Sequence, residues 1–150
     1  MNTTEHLTER LIQRLEDLKK EFPPALAWDE KYRKIIQWAR DLAPLSEAER
    51  VDEFKVKGCQ SQVWLVANLN GDRVQFRGDS DALIVKGLVS LLVKMYSDLT
   101  PVEILSLKPD FLKELGFETH LSPSRANGLF SMVKQIQYYG LAYQALAQRT

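Results

Sequence analysis

The hydrophobic period of this chain changes twice, from about 3.6 residues to two near Gln62 and back again beyond Gly78. No single repeating pattern accommodates both. Before the first change, Leu7, Leu11, Leu15, Leu18 and Phe22 draw one apolar stripe, which predicts a helix over about 4–22 capped by Thr4 and ended by Pro23 and Pro24. The same spacing returns from Trp28 to Leu42 and predicts a second helix. Ser46 followed by Glu49 has capping-box spacing and predicts a short helical turn over 47–52.

In the middle of the chain Val63-Trp64-Leu65-Val66-Ala67 is apolar on both faces, as suits a strand covered on each side. Asn70-Gly71 follows as a hairpin signal of the type I′ kind, and Val74 and Phe76 then alternate with Arg73, Gln75 and Arg77 in a second strand with one polar face. Phe54 and Val56 alternate briefly with charged residues and point to a further strand ahead of Cys59.

After Gly78, Asp79 or Ser80 is placed to cap a helix carrying Leu83, Ile84, Leu88, Leu91, Leu92 and Met95. Thr100-Pro101 with Glu103 opens a short helix over 101–107, Asp110 opens another that Gly116 stops, and Ser122-Pro123 opens a long last one through Leu129, Ile136 and Leu146. Helices, a hairpin and then more helices make an α+β fold, a small antiparallel sheet with helices before and after it, within one domain over 1–150.

Composition narrows the function classes. With 45% hydrophobic and 27% charged residues the chain is globular, and twenty Lys and Arg against twenty Asp and Glu leave none of the basic excess that most nucleic-acid binders use. No apolar run is long enough for a membrane span, and the charged N-terminus lacks the apolar core of a secretory signal, so a cytoplasmic protein is expected. One cysteine makes no internal disulfide, and with only His6 and His120 beside it the case for structural zinc is poor.

Cys59 is therefore the residue with the most chemistry available to it. Gly58 before it suits a turn, and Lys55 and Lys57 are close enough in sequence to favour a thiolate. Equally, a free cysteine is often a small buried hydrophobe, and the residues alone leave both readings open. A hydrolase would need His120 as the base, without a convincing triad, and a disulfide oxidoreductase would need a second cysteine. Asp79 and Asp81 read as helix caps and dipole partners, Lys86 as a solvated or snorkelling side chain, and Gly87 as a site of close packing. Arg125, a cation in the first turn of the last helix, opposes the helix dipole and so calls for a partner carboxylate or loop carbonyl, an ordinary surface salt bridge being the alternative.

Three separated motifs, Gly58-Cys59-Gln60-Ser61-Gln62-Val63-Trp64, Gly78-Asp79-Ser80-Asp81-Ala82 with Ile84-Val85-Lys86-Gly87-Leu88, and Leu121-Ser122-Pro123-Ser124-Arg125 with Gly128-Leu129, resemble the SufE family of cysteine desulfuration proteins over about residues 22–140. The helix over about 4–22 extends beyond that resemblance. What the resemblance implies is a non-enzymatic sulfur carrier. Cys59 matches the family's sulfur-accepting cysteine, with Gly58, Gln60, Asp81 and Arg125 in supporting positions, Arg125 positioning the cysteine loop or touching the partner. The implied partners are a cysteine desulfurase, which holds the pyridoxal phosphate, and an iron–sulfur scaffold complex. A homodimer stays open, and this chain needs no cofactor of its own. The competing reading is an activator that only docks on the desulfurase, with Cys59 structural. Because a persulfide needs shelter, Val63-Trp64-Leu65 is expected to supply an apolar wall, with ordinary core packing the alternative for Trp64.

Overall fold

A computed structural model describes residues 7–148. Thr4 and His6 lie outside the described residues. Helix α1 (Glu9–Glu21) starts later than the stripe predicts, because Thr8 takes the capping role and its hydroxyl accepts from Leu11 N at 3.4 Å. Helix α2 (Trp28–Asp41) follows the predicted span. The Ser46 segment closes one turn, with Glu49 N and Arg50 N both donating to Ser46 O, and a separate 3₁₀ turn at Asp52–Phe54 comes after it.

Strands β1 (Val63–Asn70) and β2 (Arg73–Ser80) pair antiparallel, from Val63 opposite Ser80 to Asn70 opposite Arg73. The loop is thus Gly71-Asp72, one residue later than an Asn-Gly turn. Only Gly71 of these has positive φ, at 64°, which is the need of the first loop position in a type II′ turn. The strand expected before Cys59 reduces to one bridge between Lys55 and Trp64, with Val56 N donating to Val63 O at 2.8 Å. As expected, both faces of β1 are covered. Val63 and Leu65 enter the main core, while Trp64 and Val66 form a smaller cluster with Leu45 and Phe54.

The remaining helices are α3 (Leu83–Tyr96), α4 (Pro101–Ser106), α5 (Asp110–Glu114), α6 (Phe117–His120) and α7 (Pro123–Gln148). The Thr100/Glu103 capping box of α4 and the turn at Gly116, φ 80°, are as the sequence predicts, and α6 is a single turn it does not signal. Helix α3 packs between α2 and β2. At Gly87 the backbone of α2 comes so close that a Cβ would lie 2.2 Å from Ile35 O, so no larger residue fits without separating the two helices. Helix α7 crosses the outer edge of β1, where Tyr139 and Tyr143 hydroxyls donate to Leu65 O and Ala67 O, each at 3.3 Å.

Asp79 and Lys86 depart from their sequence reading. Asp79 caps no helix. It stands one residue before the end of β2, fully buried, its carboxylate accepting from Leu45 N at 3.0 Å, Ser80 N at 2.8 Å and Arg50 Nη2 at 2.6 Å. Lys86 Nζ lies 3.3 Å from the same carboxylate, so it is a buried-side ion-pair partner and not a solvated chain. The cap position of α3 is Ala82, whose N–H donates to Ser80 Oγ at 3.2 Å. The reason is that a buried charge needs several donors at once, and the end of a strand between Arg50 and Lys86 supplies them where a helix start does not.

Burial on its own would raise the Asp79 carboxyl, but the donors from Leu45, Arg50 and Ser80, with the charge of Lys86, outweigh it and hold it below the ordinary value. The folded chain therefore binds fewer protons there than the unfolded chain. Its stabilisation is complete above the unfolded value near pH 4 and is lost as pH falls through the lower folded value. The Glu103 carboxyl is lowered as well, burial being opposed there by Thr8, Thr100 and Arg10, and acts with the same sign. We expect Asp79→Asn to cost about 3 kcal/mol, since Arg50 and Lys86 lose their counter-charge, and to flatten the loss of stability below about pH 4. Urea midpoints measured from pH 7 down to pH 3 check both, and an unchanged midpoint at pH 7 refutes the assignment.

Candidate functional site around Cys59

Cys59 sits in a loop whose two ends are fixed and whose middle is not. The upstream end is held by buried Val56 and its bond to Val63 O. Downstream, Gln62 N donates to Asp81 Oδ1 at 3.0 Å, while Gln62 O accepts from Ser80 Oγ at 2.7 Å and Asp81 N at 3.3 Å. Asp81, read from the sequence as a helix cap, acts instead as the acceptor that ties the loop to the end of β2. Among the described residues, the one hydrogen bond made by residues 57–61 is a weak one from Cys59 Sγ to Gly128 O at 3.6 Å.

Gly58 has φ 91°, in the region that favours glycine, and a Cβ there would lie 2.8 Å from Ser131 Oγ on α7. Both the turn and the close approach to α7 require the missing side chain. Gly128 of α7 faces the sulfur, and a Cβ there would stand 3.5 Å from Cys59 Sγ, an ordinary contact. The thiol faces a cavity of about 310 Å³ lined by Gln60, Ser61, Val85, Arg125, Gly128 and Met132, with Ser122 and Ser124 at its rim. Gln60 and Arg125 are thus brought to Cys59, as are Gly58 and Asp81 through the backbone.

Several expectations change. The apolar wall comes from Val85 of α3 and Met132 of α7, not from Val63-Trp64-Leu65, because those three residues are occupied in the two core clusters. Trp64 packs with Leu45 and Val66, as the alternative held. Lys55 and Lys57 line a different cavity, beside Gly58, and do not lower the thiol. Burial pushes the Cys59 thiol above its ordinary value, so at neutral pH it rests as S–H. His120 stacks on Trp28, with ring centroids 4.6 Å apart, and is absent from the cavity lining, so among the described residues no histidine stands by Cys59 as a base.

Arg125 lies in the first turn of α7, where Ser122 Oγ accepts from its N–H at 3.3 Å. The partner that its charge calls for is not among the described residues. Its guanidinium is exposed and makes no hydrogen bond or ion pair among the described residues. The sequence reading missed Val85, Gly128 and Met132. Val85 and Gly128 stand within the motifs that carry the family resemblance but were given no role there, and Met132 was marked only by its place on the apolar stripe of α7, which says core and nothing of a cavity.

Residues 16–139 match the family described as "SufE: Fe-S metabolism associated domain". The chain belongs to the SufE family. It is 41% identical over 114 residues to an uncharacterized SufE-like protein of Synechocystis sp., a stretch covering 76% of this chain and 72% of the relative. A hypothetical protein from Thermus thermophilus, solved in solution, shares the fold at a TM-score of 0.72 and 21% identity, over 93% of this chain and 98% of its own. Family membership places the chain in iron–sulfur metabolism. Among the described residues no helix is long and apolar enough to cross a membrane.

The geometry makes thiol reactivity a function of loop position. In the free chain, alkylation of Cys59 by iodoacetamide is expected to be slow, with a pH midpoint above the value near 8.5 that the urea-unfolded chain gives. Asp81→Ala removes the acceptor for Gln62 N and is expected to raise the rate severalfold and move the midpoint down, at a cost of about 1 kcal/mol in stability. A rate and midpoint unchanged by Asp81→Ala would show that the loop is held by something else.

Proposed function

We propose that this SufE-family chain accepts persulfide sulfur on Cys59 from a cysteine desulfurase and passes it to an iron–sulfur scaffold complex. The observation that carries the reading is the position of the only cysteine, on a loop tethered at both ends, in a cavity far larger than the thiol itself. A cavity of about 310 Å³ exceeds the volume of one water, about 30 Å³, by roughly tenfold, so the outer sulfur of a persulfide fits without displacing any side chain.

In the transfer, the Cys59 thiolate attacks the outer sulfur of the donor Cys–S–SH. A new S–S bond forms to Cys59 as the donor's own S–S bond breaks, the donor cysteine leaves as its thiolate, and the proton of the Cys59 thiol passes to solvent or to the enzyme. No oxidant or reductant is consumed. The pyridoxal phosphate that generates the donor persulfide belongs to the desulfurase. With a single cysteine, no second thiol of the same chain is present to attack the Cys59 persulfide and release sulfide, and the sulfur is retained for a partner. Partial burial serves the same end by limiting the reach of solvent thiols and oxidants to the outer sulfur.

Attack needs the thiolate and full access, and the half-buried S–H, seated in its cavity and raised by desolvation, is short of both. Movement of residues 57–61 out of the cavity removes the desolvation and exposes the sulfur together, so that docking of the donor is what activates the nucleophile. The reading also assigns the unpaired Arg125 guanidinium to the desulfurase side of the site.

Incubation with a cysteine desulfurase and free cysteine, followed by intact mass measurement, is expected to show the gain of one sulfur atom on the wild-type chain and none on Cys59→Ser. An unmodified wild-type mass alongside stimulated desulfurase turnover assigns the chain to the docking-activator class instead. Arg125→Ala is expected to slow sulfur uptake about tenfold with the urea midpoint unchanged, a loss that fits one charge-assisted contact across an interface.

A further inference from the structure

Beside Gly58, and sharing no lining residue with the thiol cavity, lies a second, wider depression of about 780 Å³, formed by residues of 52–58 and of α7. It is lined by Lys55, Lys57 and Lys134, by Asp52 and Glu53, and by Tyr138, which is 64% exposed. None of these three lysines has an ion pair among the described residues, although the chain as a whole carries equal numbers of acidic and basic groups. Lys55 and Lys57 also leave the thiol unaffected, so neither folding nor the chemistry at Cys59 uses their charge.

We infer that this depression is a docking surface for an acidic, solvent-exposed segment of the cysteine desulfurase, with Lys55, Lys57 and Lys134 meeting its carboxylates and Tyr138 covered by an apolar side chain. The inference rests on the carrier reading for the identity of the partner. Charge complementarity decides the occupant. Three lysines outweigh Asp52 and Glu53, which leaves a local positive excess that repels a basic partner and steers an acidic one. An exposed tyrosine within a charged surround has the amphipathic character of an interface anchor, offering a large apolar area at low entropic cost.

Position gives the surface its consequence. Its wall includes Gly58, the residue with positive φ that precedes Cys59, and Ser131, the group against which Gly58 packs. A segment seated there presses on the upstream side of the cysteine loop while the thiol faces the other cavity. Docking and loop release are thereby carried by neighbouring faces of one short stretch of chain.

The affinity of the chain for the desulfurase, measured by isothermal titration at low and high salt, tests the surface separately from sulfur transfer, which intact mass reads in parallel. Lys55→Glu/Lys57→Glu is expected to raise Kd about tenfold at low salt, and the difference is expected to shrink at about 0.5 M salt, where exposed charges are screened. Tyr138→Ala is expected to raise Kd by a similar factor at both salt concentrations, since its contribution is apolar. Lys20→Glu, on α1 and outside the depression, serves as the control and is expected to leave Kd unchanged. Unchanged Kd for both surface variants overturns the docking surface while leaving the carrier reading intact. Wild-type chain that binds with this salt dependence but takes no sulfur overturns the carrier reading and leaves the surface. Equal weakening by Lys20→Glu shows a general charge effect and also overturns the docking surface.

Discussion

A two-stranded antiparallel ribbon is at best marginally stable in water, and this fold is built around one. Its stability has to come from what covers its faces and edges. Helix α3 lies against β2 and contributes more buried residues to the main core than any other helix, while α7 closes the other side and sends Tyr139 and Tyr143 to the outward carbonyls of Leu65 and Ala67. The outer edge of β2 is closed by Ser97, whose hydroxyl accepts from Phe76 N, and by Leu99 O, which accepts from Val74 N. The hairpin thus presents few free edge groups, and the segments that satisfy it are also the ones that form the thiol cavity. Val85, Gly128 and Met132 are part of the packing that makes the ribbon stable, and the space they leave next to Cys59 is a by-product of the same packing.

The cysteine loop shows the opposite arrangement. Between Val56 and Gln62 the chain gives up almost all of its own hydrogen bonds to the protein, keeping firm anchors only at the two ends. A loop so held can change position at a cost of a few kcal/mol without disturbing β1, because its ends stay paired while its middle has little to lose. Asp81 holds the downstream end, and the buried Asp79 two residues earlier holds the strand end from which Asp81 projects. The rigid carboxylate is fixed by four donors and the adjustable one by a single backbone N–H. That difference sets which of the two gives way.

The alternation of period in the sequence located α2, both strands and α4 within a residue or two, since periodicity and capping residues act locally. Asp79 was misread for a physical reason. An acidic residue ahead of an apolar helix has the same local sequence whether it caps that helix or is buried as an ion, and only the distant Leu45, Arg50 and Lys86 distinguish the two cases. The hairpin turn slipped by one residue because Asn-Gly and Gly-Asp compete for the same loop, and the pairing of Asn70 with Arg73 decides between them. At the candidate site, residue type singled out Cys59 as the one thiol and Gly58 as a turn but left the thiol open between reactive and structural, and the sulfur-accepting role of Cys59 and the supporting positions Gln60, Asp81 and Arg125 came from resemblance to the family. The cavity wall was not, because Val85 and Met132 come from helices far apart in sequence and look like any other core residues.

Lys55 and Lys57 show how sequence proximity misleads about electrostatics. Two cations within four residues of a thiol look poised to stabilise its anion, yet a residue with positive φ between them and the cysteine turns the chain and sends the charges into one depression and the sulfur into another. What burial does to the thiol is then unopposed. A resting S–H follows, and it suits a carrier better than a resting thiolate, which would react with any disulfide or oxidant that reached it. On the carrier reading proposed above, reactivity would be confined to the interval in which a partner holds the loop out of its cavity, and the selectivity of sulfur transfer would come from the docking step with no special chemistry at the sulfur itself.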